Sequence, residues 1–300
     1  MVVELKFLGT PEVLIHGRPV TAALDRKHIA LLAFLAVEGG WVSRERAADL
    51  LWGGECTDSK ALQNLRQTVH EINELLPAVI EKDGRKVIRL GQTSLHDLDI
   101  KQFEEARARG DYECAAGLYR GEFLDGLSLK NEEAFEGWLR EQRAVYQRRA
   151  LACLDALMNA ANDRWDSEAL ERHARCSLLL DPLREEPYRQ LRLALGRRGH
   201  FSEALRVYRD CVAMLETEFN HAPAAETMAV HERILLARAL PWHDLPFHAA
   251  TFVGRERELA EAATLLRPDC RLLTFLGPGG VGKTRPAIEP ARRLGHSFLH

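Results

Sequence analysis

A glycine-rich segment near the carboxyl end, GPGGVGKT, has the residue types of a phosphate-binding loop. Glycines let successive backbone N–H groups turn toward an anion, the lysine supplies a positive charge, and the threonine hydroxyl is a ligand for Mg²⁺. An apolar run that predicts a strand precedes the segment and a helix-compatible stretch follows it, as the motif requires. The predicted nucleotide-binding residues are Gly277, Gly279, Gly280, Gly282, Lys283 and Thr284, with Thr284 also the magnesium ligand when nucleotide is bound.

The loop by itself does not predict an enzyme. Hydrolysis also needs an acidic residue for magnesium and a residue that orients water, and both follow the loop in such folds. The sequence reaches His300 without them, and Pro290 falls where the next helix should have its interior. No nucleophile motif surrounds a histidine. We therefore expect no catalytic residues and no enzymatic activity here, and bound ATP or ADP with Mg²⁺ only in a longer protein.

Composition points to an ordinary protein of the cytoplasm. Hydrophobic residues make up 46% and charged residues 28% of the 300 residues, and the formal net charge is −3. The six cysteines are scattered without a C-x-x-C pair, which fits reduced thiols. No signal peptide opens the sequence, and no run of about 18 apolar residues occurs. We expect no membrane partner.

A second set of residues with binding chemistry lies on one predicted helix. Apolar residues recur at spacings of three and four, which places them along one face at a period near 3.6. The opposite face is polar and rich in amides, which pair with base edges, and in basic residues, which suit phosphates. The apolar stripe consists of Leu62, Leu65, Val69, Ile72 and Leu76.

The elements around this helix predict a small winged fold over residues 1–96. Two strands open the sequence and three helical patterns follow, the second with Ser43 as its predicted N-cap. A second pair of strands then meets at Asp83 and Gly84, a dipeptide suited to a type I′ hairpin. The segment resembles the winged helix-turn-helix domain of the OmpR and PhoB type. It is most similar to the version in the Streptomyces antibiotic regulatory protein class of activators, in which residues like Leu51 and Trp52 close the second helix.

Residues 97–240 predict a helical domain with an internal repeat. The tetrapeptide Ser-Glu-Ala-Leu occurs at Ser167–Leu170 and again at Ser202–Leu205, 35 residues later, which is typical of tetratricopeptide-like helix pairs. The segments YRGEFLDGL, LLLDPLREEPYRQL and GHFSEALRVYRD resemble the bacterial transcriptional activator domain of the same class. That resemblance implies self-association or contact with RNA polymerase.

Residues 241–251, which include two prolines, predict a linker, and residues 252–300 a further module. FVGRERELAEAATLL and the glycine-rich loop resemble the start of the nucleotide-binding domain of STAND/NB-ARC signal-transduction ATPases. The resemblance implies that Val253 and Arg255 lie on the adenine side of the nucleotide. The predicted fold class is mainly α with small β (α+β): a winged helix, a tetratricopeptide-like domain and a partial P-loop α/β segment.

In a winged helix the third helix enters the major groove and the hairpin meets the backbone. Two carboxylates, Glu71 and Glu74, stand where the resemblance implies arginines, and basic and acidic residues balance over the first 95 residues, so nonspecific binding should be weak. The predicted DNA-contacting residues are Lys60, Gln63, Asn64, Arg66, Gln67 and His70 on the helix and Lys82, Arg85 and Lys86 on the hairpin.

The leading prediction is a sequence-specific transcriptional activator that binds double-stranded promoter DNA as a homodimer or on tandem repeats. Nucleotide would control it in a longer protein. Two alternatives are open at this level. One is a P-loop ATPase that uses Lys283 and Thr284, and the other is an adaptor in which the helical repeats bind partners and the winged helix is vestigial.

Overall fold

The computed structural model describes residues 3–54, 57–91, 97–239, 256–265, 272–278 and 287–288. These residues form helices with two small antiparallel sheets, which confirms the predicted α+β class. The chain divides into two compact units, Met1–Leu154 and Asp155–His300, called unit 1 and unit 2 below.

Unit 1 holds both sheets. The first sheet has the order β1-β2-β3 and the second the order β4-β6-β5. The strands are β1 Val3–Lys6, β2 Glu12–Ile15, β3 Arg18–Pro19, β4 Val42–Ser43, β5 Ile80–Asp83 and β6 Val87–Leu90. The helices are α1 Arg26–Glu38, α2 Arg44–Trp52, α3 Asp58–Leu75, α4 Asp99–Ala108, α5 Tyr112–Leu118 and α6 Glu133–Asp163, which continues past the division at Leu154.

The two hairpins of unit 1 use different turns. In the first sheet Ile15 pairs with Arg18, and both residues between them, His16 and Gly17, have positive φ, as a type I′ turn requires. In the second sheet three residues separate the paired strand ends, and only Gly84 has positive φ. The hairpin of β5 and β6, called the wing below, therefore closes with a longer connection, and the type I′ prediction at Asp83–Gly84 is wrong.

The second helix begins where its sequence indicates. Ser43 accepts a hydrogen bond from the backbone N–H of Arg46 at 3.2 Å, which confirms the predicted N-cap. Helix α1 begins with a capping box between Asp25 and His28, and it ends at Gly39, whose φ of 66° lies in the left-handed region. These caps fix both ends of α1 and the start of α2, the two helices that pack against α3.

Residues beyond position 96 are built into the winged fold. The side chain of Asp99 accepts hydrogen bonds from the backbone N–H groups of Phe7 and Leu8, both at 2.8 Å. Buried Glu132 accepts from Lys27 at 2.8 Å and from the N–H of Gly54 at 3.1 Å. An aromatic cluster spans the same boundary and consists of Phe34, Phe123, Phe135, Trp138 and Tyr146. Position 96 is therefore not a packing boundary.

Unit 2 consists of packed helices, and the repeated tetrapeptide lies in the first turns of α7 and α9. Both central alanines of the repeat, Ala169 and Ala204, are buried, as close helix packing requires. Helix α8 packs against α7 and α9. The helices of this unit are α7 Ser167–Leu180, α8 Glu185–Arg197, α9 Phe201–Met214, α10 Ala225–Ala239 and α11 Glu256–Leu265.

The apolar run before the glycine-rich loop does not form the strand that its sequence predicts. Residues 272–278 are neither helix nor strand, and Leu272 and Leu276 are more than four-fifths exposed. A strand needs a neighbour for its backbone hydrogen bonds, and all the strands of the described part of the chain belong to unit 1. An apolar run is therefore insufficient without a partner strand.

Candidate nucleic-acid interface

Helix α3 turns its two faces as its periodicity predicts. Leu65, Val69, Ile72 and Leu76 are buried, and Leu62 is half-buried. Two further residues of the helix, which the apolar pattern did not include, are also buried: Ala61 and Thr68. The predicted contact residues lie on the other side: Lys60, Gln63, Arg66, Gln67 and His70 are exposed, and Asn64 is half-buried.

Glu71 connects this polar face to α1. Its carboxylate accepts hydrogen bonds from Nε2 of Gln67 at 2.7 Å and from Nε2 of His28 at 2.9 Å. Nδ1 of His28 accepts the backbone N–H of Asp25 at 3.0 Å, so the imidazole proton is on Nε2. The hydrogen bonds from Gln67 and then His28 lower the pKa of Glu71, so its carboxylate is ionised at neutral pH.

The two exposed carboxylates of α3 that the sequence singled out, Glu71 and Glu74, are both paired with histidines. Glu74 lies 3.4 Å from Nε2 of His70, one helical turn away on α3. Glu71 is oriented toward His28 on α1. The sequence placed both acids on the exposed face, but the pairing of Glu71 with α1 joins residues 43 positions apart. No spacing rule reveals that contact.

The wing presents the predicted cations. Lys82, Arg85 and Lys86 are exposed at and beside the β5–β6 connection. Together with Lys60 and Arg66 they form no ion pair with any residue that the structure describes. Cations without carboxylate partners are available for phosphates.

Sequence reasoning missed Arg44, the first residue of α2. Its backbone N–H donates to the carbonyl of Lys86 at 2.8 Å, which ties α2 to the base of the wing. Burial and then the positive charge of Arg66 lower the pKa of Arg44. Arg44 of α2 is thus tied to the wing through its backbone and is affected by the charge of Arg66 on α3. The signal available in the sequence was a basic residue directly after the N-cap Ser43.

Asn73 holds α3 against the wing. Its amide donates to the carbonyl of Ile80 at 2.9 Å and accepts the N–H of the same residue at 3.0 Å. A separate contact joins α2 to α1, because Arg46 of α2 forms two hydrogen bonds of 2.7 Å with Glu38 of α1. Asn73 therefore has a structural role.

The second predicted site falls almost wholly outside the described residues. These undescribed positions are Val253, Arg255, Gly279, Gly280, Gly282, Lys283 and Thr284. Gly277 is described and exposed. Among the described residues no group of three or more histidine, cysteine or acidic side chains is arranged to hold a metal ion. No helix in the same part of the chain is long and apolar enough to cross a bilayer.

The fold and the exposed helix define a winged-helix protein with an attached helical domain. Residues 96–235 match the family profile of the bacterial transcriptional activator domain. The regulatory proteins AfsR of Streptomyces griseus and Streptomyces coelicolor are 28% and 29% identical, and the alignments cover 96% and 94% of this chain. The chain is therefore similar to regulators of the Streptomyces antibiotic regulatory protein class, and residues 96–235 carry the match to the activator domain.

The chain spans about a third of the length of these two relatives, 31% and 32%. A solved structure shares the fold: Mycobacterium tuberculosis EmbR, in complex with a low affinity phosphopeptide. The match has a TM-score of 0.56 at 23% identity and covers 80% of this chain and 66% of EmbR.

Proposed function

We propose that this chain is a sequence-specific DNA-binding transcriptional activator that reads promoter DNA with α3. One observation carries the proposal: α3 turns its amide side chains outward while its apolar stripe is buried. Gln63 and Gln67 are exposed on one face, and Asn64 borders it. Amides pair with adenine through one donor and one acceptor, so this face suits base edges in a major groove.

The surrounding cations would position the helix on the backbone. Arg44, Arg66 and Lys86 come from three different elements, and Arg85 extends the set along the wing. Phosphate contacts fix orientation and carry no sequence information. The carboxylates of Glu71 and Glu74 would repel phosphates, and the hydrogen bond from His28 orients Glu71 toward α1.

The helical unit would supply contact with RNA polymerase or with a second copy of the chain, on a dimeric or tandem site. Leu179 of α7 and Leu236 of α10 are more than half exposed and would take part in such a contact. Nucleotide control belongs to a longer protein and rests on the glycine-rich sequence alone. Such a regulator would work in the cytoplasm, where DNA and RNA polymerase are present.

The test is fluorescence anisotropy with the whole chain at two salt concentrations. The probes are duplex DNA from upstream of its own gene and a scrambled duplex of the same composition. We expect tighter binding to the upstream DNA, and we expect Gln67→Ala to remove most of that preference. Arg85→Ala should weaken binding to both duplexes alike and reduce the salt dependence by about one counterion.

The matched control is Arg109→Ala, an exposed arginine at the end of α4 that belongs to neither α3 nor the wing. It should leave both affinities unchanged. Equal, feeble binding of the wild-type chain to both duplexes would refute base reading and favour an adaptor role for the helical unit.

A further inference from the structure

The hydrogen bond between Gln67 and Glu71 fixes which end of the Gln67 amide points where. A carboxylate only accepts hydrogen bonds, so the Gln67 atom 2.7 Å from Oε1 of Glu71 must be the donor Nε2. The amide retains one N–H and its carbonyl Oε1 for other partners. Both residues are exposed on the outer face of α3.

Glu71 is also held in place by a residue of α1. Its second oxygen accepts the Nε2 proton of His28, and His28 is fixed in turn by the backbone N–H of Asp25 at the start of α1. His28 is 8% exposed, so the anchor lies in the fold and not at the surface. The hydrogen bonds therefore run from the N-terminal cap of α1, through buried His28 and then Glu71, to the amide on α3.

We propose that Glu71 is a positioning residue that makes Gln67 specific for adenine. This inference rests on the proposed DNA-reading function of α3. With Nε2 partly committed to Glu71, Gln67 presents one donor beside one acceptor, the pattern that matches N7 and N6 of adenine. Guanine presents two acceptors at the same edge, so the fixed Oε1 of Gln67 would face the guanine O6 without a proton between them.

The experiment measures discrimination as well as affinity. In the upstream duplex, each A·T pair is replaced by G·C in turn, and the affinity of each duplex is measured for the wild-type chain and for Gln67→Ala. The base pair whose replacement weakens binding of the wild-type chain but not of Gln67→Ala is taken as the Gln67 contact. At that position the wild-type chain should prefer A·T over G·C by roughly tenfold or more. In Glu71→Ala the preference should fall to about twofold, because a released amide can turn both N–H groups toward guanine.

Glu74→Ala is the matched control. It removes one exposed carboxylate of α3, also paired with a histidine, but one that does not contact Gln67. Both variants should bind all duplexes more tightly, since each loses a negative charge near phosphates. Only Glu71→Ala should lose discrimination. If the two variants behave alike, or if discrimination rises in Glu71→Ala, the positioning role is overturned.

A measurement without DNA separates this inference from the proposed function. In the NMR spectrum of the wild-type chain, one proton of the Gln67 side-chain amide should be shifted downfield and exchange slowly with water, and both features should be lost in Glu71→Ala but not in Glu74→Ala. An unperturbed Gln67 amide in the wild type overturns the inference alone. A bonded amide together with no base discrimination anywhere overturns DNA reading, and the adenine assignment with it.

Discussion

The two units hold their buried charges in opposite ways. In unit 1 the buried charges are carboxylates that accept backbone N–H groups: Asp99 binds Phe7 and Leu8, and Glu132 binds Gly54. In unit 2 the fully buried side chain of Arg192 is a guanidinium that donates to two backbone carbonyls and to Nδ1 of His231.

The difference follows from the secondary structure around each charge. The N–H groups of Phe7 and Leu8 follow the end of β1, beyond its pairing with β2, and Asp99 supplies their acceptor. The carbonyls that Arg192 contacts, in Ala204 and Thr227, lie within helices and already accept a helical hydrogen bond. Asp99 therefore accepts hydrogen bonds from N–H groups that would otherwise be unpaired. Arg192 donates to the second lone pairs of carbonyl oxygens that already accept one hydrogen bond.

The largest expected effect tests the carboxylate side of this comparison. Asp99→Ala leaves two buried N–H groups without acceptors and removes a partner of Arg120. We expect a loss of about 3–5 kcal/mol in the free energy of unfolding of unit 1. Hydrogen exchange read by mass spectrometry should show weaker protection in unit 1 and unchanged protection in α8 and α9. Asp99→Asn keeps an acceptor oxygen and should lose less.

The pH dependence of the same residue has a definite sign. Burial raises the pKa of Asp99, outweighing its hydrogen bonds from Leu8 and Phe7 and the charge of Arg120. The folded state thus binds this proton more tightly than the unfolded state, whose pKa is about 3.9. Unit 1 should gain stability through this group as the pH falls from the raised pKa toward 3.9. A urea titration series should lack that gain in Asp99→Asn.

A smaller effect is expected for the buried cation. Burial lowers the pKa of Arg192 to about 10, and the group is still charged at neutral pH. Arg192→Met retains much of the volume and leaves helical carbonyls paired, so unit 2 should change by less than about 1.5 kcal/mol. The readout is protection of α9 and α10 in hydrogen exchange. A loss above about 3 kcal/mol would contradict the proposed difference between the two kinds of buried charge.

The smallest effect concerns a pair of the same charges at the surface. Arg175 donates to Glu203 at 2.6 Å, and both side chains are at least one-third exposed. Hydrogen bonding to Arg175 lowers the pKa of Glu203, so its contribution is present above the ordinary glutamate pKa and is lost as the pH falls through the lowered value. Because water screens the pair, Arg175→Ala should cost under about 1 kcal/mol in urea unfolding. A larger loss would show that burial is not the deciding factor.

Several features were predictable because their cause is local. The period of α3 predicted its buried stripe and its polar face, and the spacing of the repeated tetrapeptide predicted equivalent helices, α7 and α9. Ser43 predicted the start of α2 from its own chemistry. The prediction of a type I′ turn in the wing was wrong because a dipeptide favours a turn type without setting the strand register.

The residues of the candidate interface also divide into those that local sequence predicts and those that only the fold brings in. The exposed residues of α3 and the wing followed from pattern, while Arg44 joined them only through the fold. The predicted strand before the glycine-rich loop did not form, since an extended segment needs a partner that its own sequence cannot specify.

The sequence by itself determined which residues face outward on α3, because side-chain direction in a helix repeats with a fixed period. Only the tertiary structure decided that Glu71 is held by His28, and that Asp99 lies beneath Phe7, 92 positions away. Hydrogen bonds between distant residues depend on how whole elements pack, and no local spacing records that packing. The orientation of Gln67 on α3 depends on such a contact.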